Sequence, residues 1–338
     1  ATKTYDGTRA VKKLVDGVES AKNEDVQGYI QHAYITLGTW NKDLIGRMTV
    51  DSATYDTKDV ANTPKDVTYN LIYTPEDDGN IIMKPGTTVV KASGKGTILK
   101  RDVTVTVKNP LTKEYDAGPA VKDASGNVIT GAALNDLVTL DGLTKDDAVA
   151  VTKNDNATYT TTAEYDNTNL NAGTNKQVNY TVNLDATSAG NYNLIHDGGS
   201  GNAFSTRDNT ITPRRIYADV QDFHPVKVYD KNGTIVGSVK DDAGRPLTEE
   251  DLQKYAVYRH YVDPTTGDPQ DTKAFVDVDA TPHMTAKFSD EKVAWKDGSW
   301  RNTPQGDAKD VVYAFSLSGA SAAENYEFVD QDGKTIMQ

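Results

Sequence analysis

Apolar and polar residues alternate along much of the chain with a period of two. From Val103 to Val107 every second residue is valine and the residues between are threonine. Val178, Tyr180, Val182 and Leu184 alternate with Asn179, Thr181 and Asn183, and Val311, Tyr313, Phe315 and Leu317 repeat the pattern. β-Branched and aromatic residues at this spacing predict strands with one buried face. Turn residues separate them: Asp77-Asp78-Gly79-Asn80, Ser125-Gly126-Asn127, Asp197-Gly198-Gly199 and Asp297-Gly298. Helix is expected over Thr248–Tyr255, where Thr248 and Asp251 have the spacing of a capping box, and in a short stretch near Ala133–Leu137. Many short strands divided by turns predict an all-β, sandwich-like fold with minor short helices.

The pattern repeats. Tyr5-Asp6-Gly7 returns as Tyr115-Asp116-Ala117-Gly118 and as Tyr229-Asp230-Lys231-Asn232-Gly233. The tyrosines lie 110 and 114 residues apart. Later landmarks keep step. An aromatic follows at Tyr55, Tyr165 and Phe288, and a Lys-x-Val-x-Tyr stretch ends at Tyr69, Tyr180 and Tyr313. Gly79-Asn80-Ile81 recurs as Gly190-Asn191-Tyr192 and Glu324-Asn325-Tyr326. Ile98 to Val103 resembles Ile211 to Ile216, each just before the next Tyr-Asp. A period this long exceeds that of solenoids and matches a domain of about 100–150 residues. The expectation is an elongated tandem array of three β-sandwich-like modules, over 1–107, 108–220 and 221–338. Pro213 then reads as a stiff link at a module junction. Both ends fall inside the pattern, as expected for a stretch of a longer array.

Locally, each Tyr-Asp-Gly reads as a turn. The aspartate accepts backbone N–H groups two residues on, the glycine supplies positive φ, and the tyrosine anchors the turn in the core. The structural motif residues are therefore Tyr5, Asp6, Gly7, Tyr115, Asp116, Gly118, Tyr229, Asp230 and Gly233. A catalytic Tyr-Asp pair is the weaker reading.

Composition narrows the function. There is no cysteine, and the net charge is −13. The balance is neutral over 1–107 and increasingly acidic over 108–220 and 221–338. No basic patch interleaved with aromatics is present, so nucleic acid is not an expected partner. No apolar run reaches a membrane span. Nucleophile elbows, phosphate loops and dinucleotide fingerprints are missing, so no catalytic residue is assigned and no enzyme is expected. His196, Asp197 and Ser200 share a glycine-rich loop, which does not make a triad.

These landmarks resemble the YDG-type repeats of large bacterial surface adhesins and the related MBG repeats. The stretches that carry the likeness are Lys3-Thr4-Tyr5-Asp6-Gly7, Gly190-Asn191-Tyr192-Asn193-Leu194 and Ile211-Thr212-Pro213-Arg214. The resemblance implies an extracellular place on the bacterial surface, in filamentous-haemagglutinin-like or wall-anchored proteins. It implies non-catalytic modules that form a stalk supporting cell adhesion, with neighbouring repeats of the same chain as partners. Three departures put the turn geometry in question: Ile81 replaces an aromatic, Ala117 precedes Gly118, and Lys231-Asn232 precedes Gly233.

The third copy is longer. Tyr229 to Tyr313 spans 84 residues, against 64 and 65 in the other copies. The additions hold Tyr258 and Tyr261, and Trp295 and Trp300 on a hairpin with an Asp-Gly turn. These four are the candidate ligand-binding residues, for a host glycan or protein. The plainer reading is cross-strand aromatic packing. The five histidines have no zinc-site spacing. Asp330 and Asp332, and Asp77 and Asp78, open like calcium loops, but the first pair lacks the downstream acidic residue. No other cofactor is expected.

Overall fold

The computed structural model describes residues 1–16, 18–31, 34–37, 40–43, 45–74, 89–144, 159–185, 189–227, 230–241, 243–262, 273–291, 309–319 and 322–336. The fold is all-β with a few short helices. The strands are β1 Thr2–Thr4, β2 Lys13–Val15, β3 Val18–Ser20, β4 Tyr34–Leu37, β5 Trp40–Asp43, β6 Met48–Tyr55 and β7 Lys65–Tyr73. There follow β8 Val89–Leu99, β9 Arg101–Val107, β10 Thr112–Glu114, β11 Val138–Asp141, β12 Tyr159–Tyr165, β13 Gly173–Leu184 and β14 Tyr192–His196. The last are β15 Gly199–Ser200, β16 Ala203–Thr212, β17 Arg214–Val220, β18 Ala256–His260, β19 Thr281–Phe288, β20 Val311–Ser318 and β21 Tyr326–Val329.

Two sheet patterns recur. The first has the order β1-β8-β7-β6 and returns as β10-β16-β13-β12. In both, the short opening strand pairs parallel with the end of the long strand, Lys3 opposite Ile98 and Lys113 opposite Ile211. The second pattern is β11-β9-β14-β15, returning as β18-β17-β21. Here β9 pairs parallel with β14, Arg101 opposite Tyr192, and β17 with β21, Arg214 opposite Tyr326. The third copy supplies the antiparallel pair β19-β20.

The chain gathers into two compact units. One comprises Ala1–Asn109, Thr130–Thr162 and Tyr180–Phe204; the other comprises Pro110–Ile129, Ala163–Asn179 and Ser205–Gln338. Each unit therefore combines residues of successive sequence copies. In the first unit the core is built on Tyr5, Tyr55, Val67, Tyr69 and Ile98 of one sheet and Val103, Val138 and Tyr192 of the other, all buried. In the second, Tyr115, Ile211, Ile216, Tyr326 and Phe328 take the corresponding places. The alternation is realised on the strands: β12 reads buried and exposed in strict succession from Tyr159 to Tyr165. Such a face is what period-two apolar spacing buries.

Pro213 differs from its expected role. It is the single residue between β16 and β17, two strands of different sheets. Its fixed φ and missing N–H suit a point where the chain leaves one ladder for another. The capping box forms at Thr248, whose side chain accepts from the Asp251 backbone and whose own N–H donates to Asp251. The helix it starts is short, Glu249–Gln253. The stretch near Ala133–Leu137 is a 3-10 helix, Gly131–Leu137. Among the described residues no helix is long and apolar enough to cross a membrane.

Candidate functional site: the lysine–aspartate turn and its tyrosine lock

The repeated turn is organised by a lysine. Lys3 points inward from β1, and its side chain has no exposed surface. Its Nζ donates to Asp6 Oδ1 at 2.7 Å and to the Thr8 carbonyl at 2.7 Å. It lies 5.6 Å from the Tyr55 ring centre, where the ring face attracts a cation. Lys12 Nζ meets the second oxygen, Asp6 Oδ2, at 2.7 Å. Asp6 also accepts the Thr8 N–H at 2.9 Å. In the second copy Lys113 Nζ lies 2.6 Å from Asp116 Oδ1 and 5.1 Å from the Tyr165 ring centre. It donates to the Gly118 carbonyl, and Lys122 Nζ meets Asp116 Oδ2 at 2.7 Å. In the third copy Lys227 Nζ lies 2.8 Å from Asp230 Oδ1 and 5.8 Å from the Phe288 ring centre, and donates to the Asn232 carbonyl at 2.6 Å.

The backbone settles the departures in the motif. Positive φ falls on the residue directly after each aspartate: Gly7 at 77°, Ala117 at 59° and Lys231 at 66°. Glycine is therefore at the left-handed position only in the first copy. Gly118 and Gly233 do not have positive φ, contrary to the expected role of the motif glycine. A Cβ at Gly233 would lie 3.1 Å from the Phe288 carbonyl oxygen, so its smallness serves a close approach instead. The same backbone bond closes all three turns: Tyr55 N–H to Arg9 O, Tyr165 N–H to Pro119 O, and Phe288 N–H to Gly233 O.

The electrostatics follow from burial. Desolvation pushes the Asp6 carboxyl up, but hydrogen bonds from Lys12, Lys3 and Thr8 outweigh it and hold it at about 2. Asp116 is lowered by the same balance, with Lys113 and Lys122 against burial. Burial pushes Lys3 and Lys113 below their usual value, and their aspartates draw them back part of the way. An ionised carboxylate saturated by two ammonium groups is a poor proton acceptor. The cluster is built to hold a charged turn in place.

The motif tyrosines look elsewhere. Tyr5 packs edge-on against Tyr192 of β14, centroids 5.3 Å apart. The Tyr192 hydroxyl donates to Thr144 Oγ1 at 3.1 Å and accepts the Thr144 N–H at 3.1 Å. Next to it, buried Asn191 accepts the Val60 N–H at 2.8 Å and donates to Asp59 Oδ1 at 3.0 Å. The second unit repeats the arrangement with other partners for the hydroxyls. Tyr115 packs edge-on against Tyr326, centroids 5.7 Å apart. Both hydroxyls donate to Asp277, at 2.9 and 3.1 Å. Buried Asn325 accepts the Ala172 N–H at 2.8 Å and donates to Asn171 Oδ1 at 3.1 Å. The Asn-Tyr landmark of each later copy thus docks on the opening turn and hairpin loop of the copy before it. The lysine two residues before each motif tyrosine was a visible signal for the buried cation. Asn191 and Asn325 stood in a landmark, yet nothing in sequence named their partners.

The aromatic candidates of the third copy divide. Tyr258 sits among Phe275, Phe315 and Phe328, centroids about 6 Å away. Burial pushes its hydroxyl up to about 12, and the hydroxyl has no hydrogen-bond partner among the described residues. Tyr261 lies under the Arg215 guanidinium at 4.7 Å. Trp295 and Trp300 lie outside the described residues, as do Asp77, Asp78 and Tyr229. The structure therefore packs half-buried Tyr258 among aromatic rings and Tyr261 against a cation. Asp330 accepts the N–H groups of Asp332 and Lys334, forming an ordinary Asx turn. Among the described residues no three metal-ligating side chains are gathered. His196 stacks on Phe204 at 4.9 Å, and its Nδ1 lies 3.0 Å from the Asp197 carbonyl oxygen. An open groove of about 360 Å³ is lined by Lys100, Asn183, Asn193, Ser200 and Asn202.

No protein-family model, no curated protein and no solved structure matches this chain.

Proposed function

We propose that this chain is a segment of a bacterial cell-surface adhesin, in which non-catalytic repeats form a stalk that supports cell adhesion at the outside of the cell. The observation that carries the reading is the lock between successive copies. Asn191 with Tyr192, and Asn325 with Tyr326, repeat the same contacts on the copy before them. A chain built this way cannot release one copy without stripping the core of another. That is the property a load-carrying array needs, and it requires no disulfide, which the chain could not form without cysteine.

The repeated ionisable cluster supports the non-catalytic part. Its lysines and aspartates are spent on each other in all three copies. The test pairs force spectroscopy on the intact chain with a retention assay on mucin, glycans and epithelial cells. A stalk gives successive force peaks and no retention of the isolated chain. Unfolding without resolvable peaks, or saturable retention, overturns the proposal; the second result would favour direct contact with a host glycan or protein.

A further inference from the structure

The third turn carries a carboxamide where the other two have none. The backbone bond that closes the turns aligns Gly233 with Arg9 and Pro119, so Asn232 stands where Thr8 and Gly118 stand in the first two copies. The turn itself does not require asparagine there, since threonine and glycine close it elsewhere. Asn232-Gly233 is also the single Asn-Gly pair in the 338 residues. A glycine after asparagine leaves the next main-chain nitrogen open to the side chain, because no Cβ crowds the approach.

The surroundings of Asn232 treat the two ends of its side chain differently. Its Oδ1 accepts the Lys227 ammonium at 2.9 Å and the Thr234 N–H at 2.9 Å, which fills both lone pairs. Its backbone N–H donates to Asp230 Oδ1 at 3.1 Å and holds the residue in the turn. Its Nδ2 has no hydrogen-bond partner among the described residues, and neither has the Gly233 N–H. Asn232 is exposed, so water reaches it. The Asp230 carboxyl is held below its usual range, first by the Lys227 hydrogen bond. An ammonium facing an ionised carboxylate donates and does not attack. Two donors fixed on a carbonyl oxygen stabilise the negative charge that this oxygen takes up when a nucleophile adds to its carbon. The nucleophile at hand is the Gly233 nitrogen.

We propose that Asn232 is a self-modification site, at which Lys227 and the Thr234 N–H clamp the oxyanion of a deamidation that runs through a cyclic imide. The Gly233 nitrogen forms a bond to Asn232 Cγ, and the Cγ–Nδ2 bond breaks. The Gly233 proton leaves with Nδ2 as ammonia. Solvent water then adds to one imide carbonyl and the ring C–N bond breaks. Opening at the side-chain carbonyl gives aspartate, and opening at the main-chain carbonyl gives isoaspartate. Either product changes the turn. A carboxylate at 232 places two acidic groups on one lysine, whereas Asp6 and Asp116 each have two lysines. Isoaspartate also lengthens the main chain before Gly233 and draws its carbonyl away from the Phe288 N–H. The third turn thus loosens with age while the first two keep their shape. The inference rests on this turn alone, and it stands whether or not the array serves adhesion.

The experiment follows the full chain by intact mass and peptide mapping during incubation at mildly alkaline pH, in ordinary and in heavy-oxygen water. The expected result is replacement of an amide by an acid at Asn232, with one solvent oxygen incorporated. It should be faster in the folded chain than in the same chain unfolded in urea, a comparison that needs no variant to fold. Lys227→Met should slow it about tenfold or more, since losing one preorganised oxyanion donor costs at least that much, and Lys227→Arg should keep the rate. Amide exchange at Phe288 should speed up in step with the modified fraction. Four results overturn the proposal: another asparagine reacting first, a folded rate no higher than the unfolded one, a faster reaction in Lys227→Met, or ammonia loss without solvent oxygen that maps to a Lys227–Asn232 bond. In the last case Lys227 would be the nucleophile and not the clamp.

Discussion

Replacing Asp6 with asparagine removes the charge from the first turn and keeps its shape. Asp6 falls from 3.8 to about 2 in the folded chain, and at about 1.4 kcal/mol per pKa unit this corresponds to about 2–3 kcal/mol. The two partners pull in opposite directions, because burial lowers Lys3 while pairing lowers Asp6. Removing one member of a buried pair costs about 3–5 kcal/mol when the other is left charged. The introduced amide would still accept the Thr8 N–H, and Lys3 can shed its proton at moderate cost. The expected loss for Asp6→Asn is therefore about 2–3 kcal/mol, concentrated on β1 and β8. The assay is urea unfolding combined with amide exchange, which isolates the local part. Adding Lys3→Met removes the stranded cation and should restore at least half of the loss. A loss below about 1 kcal/mol, the usual worth of an exposed pair, would refute the reasoning, as would a double variant weaker than the single. The pH dependence has a definite sign. The folded pKa of Asp6 is depressed, so its contribution is complete above about pH 5 and disappears as pH falls through about 4 toward 2. Lys3 is also lowered, so its burial penalty is full at neutral pH and is relieved as pH rises toward its usual value of 10.5.

Other consequences can be checked singly. Ala117 holds φ at 59°, so Ala117→Gly should stabilise the second turn by about 1 kcal/mol in thermal unfolding; a loss would mean that the left-handed residue is not strained. Tyr192→Phe removes the hydroxyl that accepts the Thr144 N–H and donates to Thr144 Oγ1 in a buried contact, and should cost about 1–3 kcal/mol, read as faster exchange at Thr144. Tyr258→Phe deletes a buried hydroxyl with no partner among the described residues. Equal or slightly higher stability is expected, and a loss above about 1 kcal/mol would show that the hydroxyl is engaged. Thr248→Ala removes the capping box and should cost about 1 kcal/mol, confined to Glu249–Gln253 and seen by exchange there.

Much of the fold was legible because strands write their buried face into every second residue. Val103–Val107, Val178–Leu184 and Val311–Leu317 all lie on strands, within β9, β13 and β20. Turn chemistry was legible to within a residue. Aspartate was correctly read as the acceptor, while positive φ was assigned to the motif glycine and belongs to the residue after the aspartate in every copy. Side-chain chemistry alone could not show this, because alanine and lysine carry no signal for a left-handed backbone. The lysines at positions 3, 113 and 227 stand two residues before each motif tyrosine, but a charge is buried only where partners are brought to it, and those partners follow from the turn's geometry.

The sequence by itself determined that the chain is a repeated β protein, since period-two alternation and recurring landmarks need no knowledge of contacts. It also determined where each turn begins. Only the tertiary structure decided which strands share a core. The opening tyrosine of one copy packs on the Asn-Tyr strand of the next, 187 residues away for Tyr5 and Tyr192. Counting landmarks measures distance along the chain, whereas burial depends on which faces meet across it. The same distinction makes Pro213 a crossing between sheets, which no residue pattern announced.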